Sequence, residues 1–312
     1  MSDRGLDSRR KLAIQIPLEN RMSPIPFSTP LPGRNQTWRF MHSRQSAHFP
    51  GDDARLVFYD APPDEATLAQ ITDVHLWAPH EDPLQVLPEL IARLPSLVHL
   101  SIGPGVILPS VVKGLRADML PASLRHLSMH PQSGTYTWQA GPMPRLESLT
   151  VGATLRMDPQ DFPALISLSA IPDRRGALVD SALQLALKEL NLWNVPFDSS
   201  LFNRLAPLPL VALGLLGGRT LTTLSGIEQL PGLRSLRLKN LPLLDTIGSI
   251  ATLAELEFLN IQYCARIADI SVLATLRRLQ ELTLVGCGNV GLGQLEHTLR
   301  ASLRRANIAA TR

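Results

Sequence analysis

The sequence predicts an α/β solenoid in which short stacked units build a curved parallel β-sheet. The first observation is a motif with apolar residues at its first, fourth and sixth positions, which recurs eleven times after residue 70. The second is the spacing, because successive copies begin 19 to 27 residues apart. The third is composition, since 26 prolines and 20 glycines indicate short elements separated by frequent turns. Such a period is typical of a solenoid rather than of a compact α/β domain.

Leucine dominates the apolar positions, so the motif is a leucine-rich repeat. Each copy predicts one short strand whose fourth and sixth residues point inward and whose neighbours point outward. Parallel stacking at about 4.8 Å would bury an apolar edge that no single copy can hide. The connecting segments leave room only for turns, 3₁₀ helices and single-turn helices. The copies begin at Ile71, Leu97, Leu124, Leu146, Leu165, Leu187, Leu210, Leu233, Leu256, Leu279 and Leu303.

Apolar residues three positions before a motif are expected to fill the convex side of the solenoid. They are Leu94, Phe162, Leu230, Leu253 and Leu276.

Three regions follow from this pattern. Residues 71–312 are the repeat domain, which ends in a predicted cap over residues 294–305. Residues 51–70 are predicted to cap the other end, with a strand from Leu56 to Tyr59. Residues 1–50 are rich in serine and proline and show no helical or strand period, which predicts a disordered arm. This arm is either a flexible tail of no specific role or an uncleaved export segment.

The charge pattern disfavours nucleic acid as a partner. Residues 1–60 carry nine Lys and Arg against six Asp and Glu, whereas residues 61–312 carry 21 of each. A neutral body lacks the broad basic face of a nucleic-acid binder. No segment approaches the roughly 20 apolar residues of a membrane span, and the N-terminus lacks the apolar core of a Sec-type signal. The two cysteines offer no disulfide framework and fit a reducing compartment.

The outward positions of the strands form the predicted protein-binding face. Because exposed positions vary while the apolar edge repeats, these side chains are the ones available to a partner. They carry charges of both signs. The candidate residues are His75, Trp77, His99, His126, His130, Glu189, Asn191, Trp193, Arg237, Lys239, Phe258, Asn260, Gln262 and Glu281.

Four histidines and two tryptophans stand out on this face. His99 and His126 share a position in adjacent repeats and are expected about 5 Å apart. The histidines are interpreted as an exposed, partly protonated recognition patch, and a metal site is the alternative. Trp77 and Trp193 are predicted binding anchors, because tryptophan dominates the energetics of interfaces. The alternative is that each packs against a neighbouring loop or cap.

No catalytic or cofactor motif is present, and the chain is predicted to be neither an enzyme nor a cofactor protein. HExxH, P-loop, GxSxG and paired CxxC patterns are all missing from the sequence. Cys264 and Cys287 occupy the ninth position of consecutive repeats, which points inward towards the neighbouring loop's backbone. They are interpreted as small buried side chains rather than nucleophiles.

The segments Leu233 to Asn240, Leu256 to Cys264 and Leu279 to Cys287, with Trp38-Arg39 and Ala66-Thr67, resemble the leucine-rich domain of a group of type III secreted effectors from plant-pathogenic Xanthomonas. The Ser/Pro-rich arm is also similar to type III secretion signals. Longer members of that group carry a C-terminal ubiquitin-ligase domain, to which no residues here correspond. The resemblance implies secretion from the bacterial cytoplasm into the host cell cytoplasm and recognition of a host protein.

The sequence therefore predicts a binding module that engages a host protein and interferes with plant defence. One alternative is the substrate-recognition part of a split E3 ubiquitin ligase, with ubiquitin-pathway components as partners. Another is a bacterial interaction scaffold that is not secreted.

Overall fold

A computed structural model describes residues 37–48, 55–79, 81–103, 109–130, 134–288, 297, 299 and 301–309. Residues 1–36, 49 and 50 of the predicted arm and residues 294–296, 298 and 300 of the predicted C-terminal cap lie outside the described residues. Within these ranges, fourteen strands form one sheet, and all their pairings are parallel. The strands are β1 (Trp38–Met41), β2 (Leu56–Phe58), β3 (Asp73–Leu76), β4 (His99–Ile102), β5 (His126–Met129), β6 (Thr135–Thr137), β7 (Ser148–Arg156), β8 (Ser167–Ile171), β9 (Glu189–Val195), β10 (Ala212–Gly218), β11 (Ser235–Lys239), β12 (Phe258–Gln262), β13 (Glu281–Val285) and β14 (Arg305–Ala309).

The chain is a leucine-rich-repeat solenoid, as the sequence predicts. Eleven strands, β3 to β5 and β7 to β14, carry the eleven copies of the motif and lie side by side in chain order. Equivalent leucines face each other across the strands: Leu213 pairs with Leu236, and Leu259 with Leu282. These side chains are almost wholly buried. Even the degraded last copy forms a strand, because β14 pairs with β13 along its whole length.

The connections are short, which confirms the prediction for the convex side. The α-helices are α1 (Glu65–Leu68), α2 (Pro109–Lys113), α3 (Ala177–Ala182) and α4 (Ser200–Leu205). The 3₁₀ helices are Ser43–His48, Glu89–Arg93, Ala117–Met119, Pro159–Asp161, Ile227–Gln229, Gly248–Thr252 and Ser271–Thr275. None of the helices in the described ranges has the length and hydropathy that crossing a membrane requires. The five predicted convex-side residues are all buried, with Leu94 and Phe162 fully so.

The folded part begins earlier than the predicted boundary at residue 50. β1 lies inside the predicted arm, yet it pairs with both β2 and β3 and so occupies an interior place in the sheet. Phe40 and Met41 are fully buried there. Arg44 forms a bidentate ion pair with Asp82, in which Nε and Nη2 donate to the two carboxylate oxygens at 2.7 and 2.8 Å. The prediction of disorder was wrong for residues 37–48, because four residues are too few to show a strand period. The predicted strand at residues 56–59 is confirmed for residues 56–58 as β2, at the edge of the sheet, and Tyr59 lies in the turn that follows.

One irregularity lies in the middle of the sheet. β7 is nine residues long, and its far end pairs with the extra strand β6. Its register with β8 shifts between Val151 and Thr154. As a result, Ile171 of β8 pairs with Thr154 rather than with Gly152.

Candidate functional site on the concave face

Outward side chains form three columns across the concave face. The first column contains the third residue of each motif, such as Asp73 and His99. The second contains the fifth residue, such as His75, and the third contains the seventh residue. All fourteen predicted residues stand in these columns. The first column holds His99, His126, Glu189, Phe258 and Glu281; the second holds His75, Asn191, Arg237 and Asn260; the third holds Trp77, His130, Trp193, Lys239 and Gln262.

His99 and His126 stack on adjacent strands. Their ring centroids are 4.2 Å apart, and the rings are within 8° of parallel. Asp73, which sequence reasoning missed, heads the same column and places Oδ1 2.8 Å from Nδ1 of His99. Its other carboxylate oxygen accepts a hydrogen bond from Thr72 Oγ1 at 2.6 Å. Aligning the repeats could have revealed Asp73, because it occupies the motif position of both histidines.

The histidines are not the exposed, partly protonated patch that the sequence suggested. Burial, together with the charges of the neighbouring His99 and Arg125, lowers the pKa of His126 to about 4. Burial also lowers the pKa of His99, against the opposing influence of Asp73. The pKa of His75 is lowered by burial and then by Arg39 and His130. These shifts favour the uncharged imidazoles at neutral pH, because burial disfavours the charged form.

A metal site was the alternative interpretation of the histidines. Within the described ranges, no group of three or more histidine, cysteine, aspartate or glutamate side chains is arranged to hold a metal ion.

His130 reaches across the sheet to Trp193. The two ring centroids are 6.2 Å apart although β5 and β9 are separated by two strands. Gly152 permits this approach, because a Cβ there would lie 3.0 Å from Nδ1 of His130. Ser128 Oγ lies 3.0 Å from Nε2 of His130 and holds the ring in place. Trp193 is half-buried, so it stacks with a ring of this chain and still offers part of its surface to a partner.

Glu189 and Asn191 form the polar centre of the face. Glu189 is 7% exposed and Asn191 is 5% exposed, although both stand on outward positions of β9. Ser167 Oγ donates a hydrogen bond of 3.2 Å to Glu189, and Asn191 Nδ2 donates one of 3.2 Å to Ser169 Oγ. Burial raises the pKa of Glu189, and the hydrogen bond from Ser167 partly offsets this. The sequence identified both residues but not their burial.

The far end of the face carries mixed charge, as predicted. Arg237 and Lys239 stand on β11, two residues apart, and both are half-buried. Burial lowers the pKa of Arg237, and burial followed by the charge of Arg237 lowers that of Lys239. Glu281 adds a negative charge beside Phe258 in the first column. This arrangement does not suit a ligand of one uniform charge.

The two cysteines are structural, as predicted. Cys264 is fully buried, and its Sγ donates to Gln262 O at 3.5 Å and to Leu238 O of the preceding repeat at 4.0 Å. Cys287 repeats the arrangement one strand later, with Ile261 O at 3.8 Å. Burial raises the pKa of Cys264 to about 12 and raises that of Cys287 as well. A thiol so protonated and enclosed is a poor nucleophile.

A rim of left-handed residues follows the third column. Asn194, Asn240 and Tyr263 have φ angles of 52°, 53° and 55°. Tyrosine is uncommon in this region, because its Cβ crowds the backbone. The Tyr263 ring is half exposed and lies over Gly286, where a Cβ would stand 2.7 Å from Cδ1 of the ring.

The comparisons with known proteins returned solved structures alone. No family model matches the chain, and no curated protein matches it. An internalin, InlF, from Listeria monocytogenes has 16% identity and a TM-score of 0.45, over 82% of this chain and 72% of that one. A leucine-rich-repeat protein of Leptospira interrogans has 17% identity and a TM-score of 0.36, over 81% and 70%. TLR13, in a complex with ssRNA13, has 15% identity and a TM-score of 0.32, over 81% and 47%. The assignment of the fold rests on the eleven stacked strands of the chain itself.

Proposed function

We propose that this protein is a recognition module that binds another protein on the concave face of its sheet. The observation that carries the proposal is Trp193, which is held by stacking with His130 and remains partly exposed on the open face. Pre-positioned tryptophans of this kind supply much of the affinity of protein interfaces, because they bury a large area at little entropic cost. Mixed charge around the tryptophan supports a protein partner over a polyanion.

We further propose that the partner is a host protein of a plant cell, and that a type III secretion system delivers the module there to interfere with defence. The support is the resemblance of the repeats to the Xanthomonas effectors, together with the Ser/Pro-rich composition ahead of β1.

Delivery is tested with a translocation reporter fused to residues 1–36 and, separately, to the full chain. The shorter fusion ends at residue 36 because residues 38–41 belong to the sheet. We expect both fusions to leave a type III-competent bacterium and to stay inside a secretion-deficient strain. Retention of both fusions in the competent strain would overturn the proposal and favour a scaffold that acts inside the bacterium.

Binding is tested by proximity labelling in plant cells, followed by affinity measurement with the purified partner. Trp193→Ala should weaken binding about 30-fold, which corresponds to the roughly 2 kcal/mol of an anchor residue. Val86→Ala is the matched control, because Val86 is an exposed apolar side chain outside the three columns. Equal affinity of the Trp193→Ala and Val86→Ala variants would place the binding surface elsewhere. Capture of a ubiquitin-conjugating or ubiquitin-ligase component would favour the split-ligase alternative.

A further inference from the structure

The centre of the concave face contains two hydrogen-bond acceptors that the chain itself leaves largely unused. They are the carboxylate of Glu189 and the amide oxygen of Asn191, named here the central acceptor pair. They stand two residues apart on β9, so both side chains rise from the same face of the sheet.

Glu189 has far fewer donors than an ionised carboxylate can use. A carboxylate offers about four acceptor positions. Within the part of the chain that the structure describes, its one hydrogen-bond partner is the hydroxyl of Ser167 at 3.2 Å. Burying a carboxylate with so little compensation is costly, and a cation that pairs with it and donates hydrogen bonds offsets part of that cost.

Asn191 points the same way. Its Nδ2 is already engaged with Ser169, which leaves Oδ1 as the available atom, and this oxygen is buried without a hydrogen-bond partner in the described residues. Buried polar atoms are almost always satisfied, so this acceptor calls for a donor that the described residues do not supply. Gly214 makes this orientation possible, because a Cβ there would lie 2.1 Å from Oδ1.

The side chains around the central acceptor pair are small. The residues in register with the pair on the neighbouring strands have small side chains, or none in the case of Gly214. They are Ser148, Thr150, Ser167, Ser169, Ala212, Gly214 and Ser235. Larger side chains begin on either side, at His126 on β5 and at Arg237 on β11. The two acceptors are therefore flanked by small side chains on both sides.

We propose that the central acceptor pair binds the guanidinium of an arginine in the partner protein. This inference rests on the proposed function and specifies the chemistry of the partner. Arginine fits better than lysine because its planar fork can donate to both carboxylate oxygens and retain a further N–H for Asn191 Oδ1. A neutral donor fits less well, because it would leave the charge of Glu189 uncompensated.

The test is an NMR titration of the full chain with N-acetyl-arginine amide, which follows the side-chain amide signals of Asn191. N-acetyl-citrulline amide is the neutral isostere, and N-acetyl-lysine amide carries the charge without the fork. We expect saturable shifts with the arginine probe and at least about tenfold weaker binding of both other probes. Equal binding of arginine and citrulline probes would overturn the inference. Equal binding of arginine and lysine probes would overturn the choice of a guanidinium.

Three variants locate the site. Glu189→Gln should weaken binding of the arginine probe at least about tenfold, whereas Glu281→Gln, which removes the same charge from the same column four strands away, should leave it within about twofold. Gly214→Ala should also weaken binding, because its methyl group displaces the Asn191 amide without changing any charge. Equal losses for Glu189→Gln and Glu281→Gln would show a general charge effect and contradict a site at β9.

The outcome separates this inference from the proposed function. If Trp193→Ala weakens binding of the protein partner and Glu189→Gln does not, the concave face binds the partner and the arginine site is wrong. If the arginine probe binds as expected while neither variant affects the partner, the site exists and the protein-binding proposal for this face is wrong.

Discussion

Acidification should destabilise this protein through the stacked histidines of β4 and β5. The pKa of His126 in the folded chain is about 4, against 6.5 for an ordinary histidine, because burial, His99 and Arg125 disfavour its charged form. Between these two pH values His126 is therefore protonated in the unfolded chain and mostly neutral in the folded chain. The contribution to stability is complete above about pH 6.5 and is lost as the pH falls from there towards about 4.

The magnitude follows from the same two values. The difference of about 2.5 between the two pKa values corresponds to about 3 kcal/mol, which is lost in full only below about pH 4, where the histidine is protonated in both states. At about pH 5 the loss would be about 2 kcal/mol, and the partial exposure of His126 to solvent reduces this to about 1–2 kcal/mol. This loss is a substantial part of the stability of an ordinary domain.

The assay is urea unfolding followed by far-ultraviolet circular dichroism at about pH 7 and about pH 5. His126→Gln should reduce the loss of stability between the two pH values by about 1–2 kcal/mol relative to the native chain. His297→Gln, which removes an exposed histidine, is the control and should leave the loss unchanged. An identical pH dependence in the native chain and the His126→Gln variant would refute the argument from the stacked pair.

Three further predictions concern the core and the rim. Leu259→Asp should abolish cooperative unfolding and the native dichroism spectrum, because an unpaired charge in the buried column costs several kcal/mol; a folded variant would contradict the stacking. The thiols of Cys264 and Cys287 should react with a thiol reagent only after denaturant is added, and fast labelling of the native chain would show that they are accessible. Gly286→Ala should lower stability by about 1–2 kcal/mol, because φ is +62° and the Tyr263 ring occupies the space of the new methyl group. An unchanged unfolding midpoint would mean that the ring moves aside freely.

Most of the repeat architecture could be predicted because each copy of the motif is a local signal. Leu236 and Leu238 predict one strand and its inward positions, and the next copy of the motif predicts another strand 23 residues later. Parallel stacking then follows from the need to hide the apolar edge. The same reasoning placed Cys264 and Cys287 in the core correctly, since the ninth position is defined by the repeat itself. The sequence did not predict β1, because Trp38–Met41 carries no copy of the motif and is paired only with β2 and β3.

The candidate site divides in the same way. The repeat determines which residues face outward, so the sequence alone placed Trp193, Glu189 and the histidines on one face. It did not decide their burial, their pKa values or their partners. Those depend on side chains from strands far apart in the chain, such as His130 reaching Trp193 over Gly152, or Gly214 making room for Asn191. The direction in which a side chain points follows from its position in the repeat. Contacts between side chains of different strands form only after the strands have stacked. For that reason the sequence determined the scaffold and its face, and the tertiary structure decided that the face is neutral at the histidines and holds acceptors at its centre.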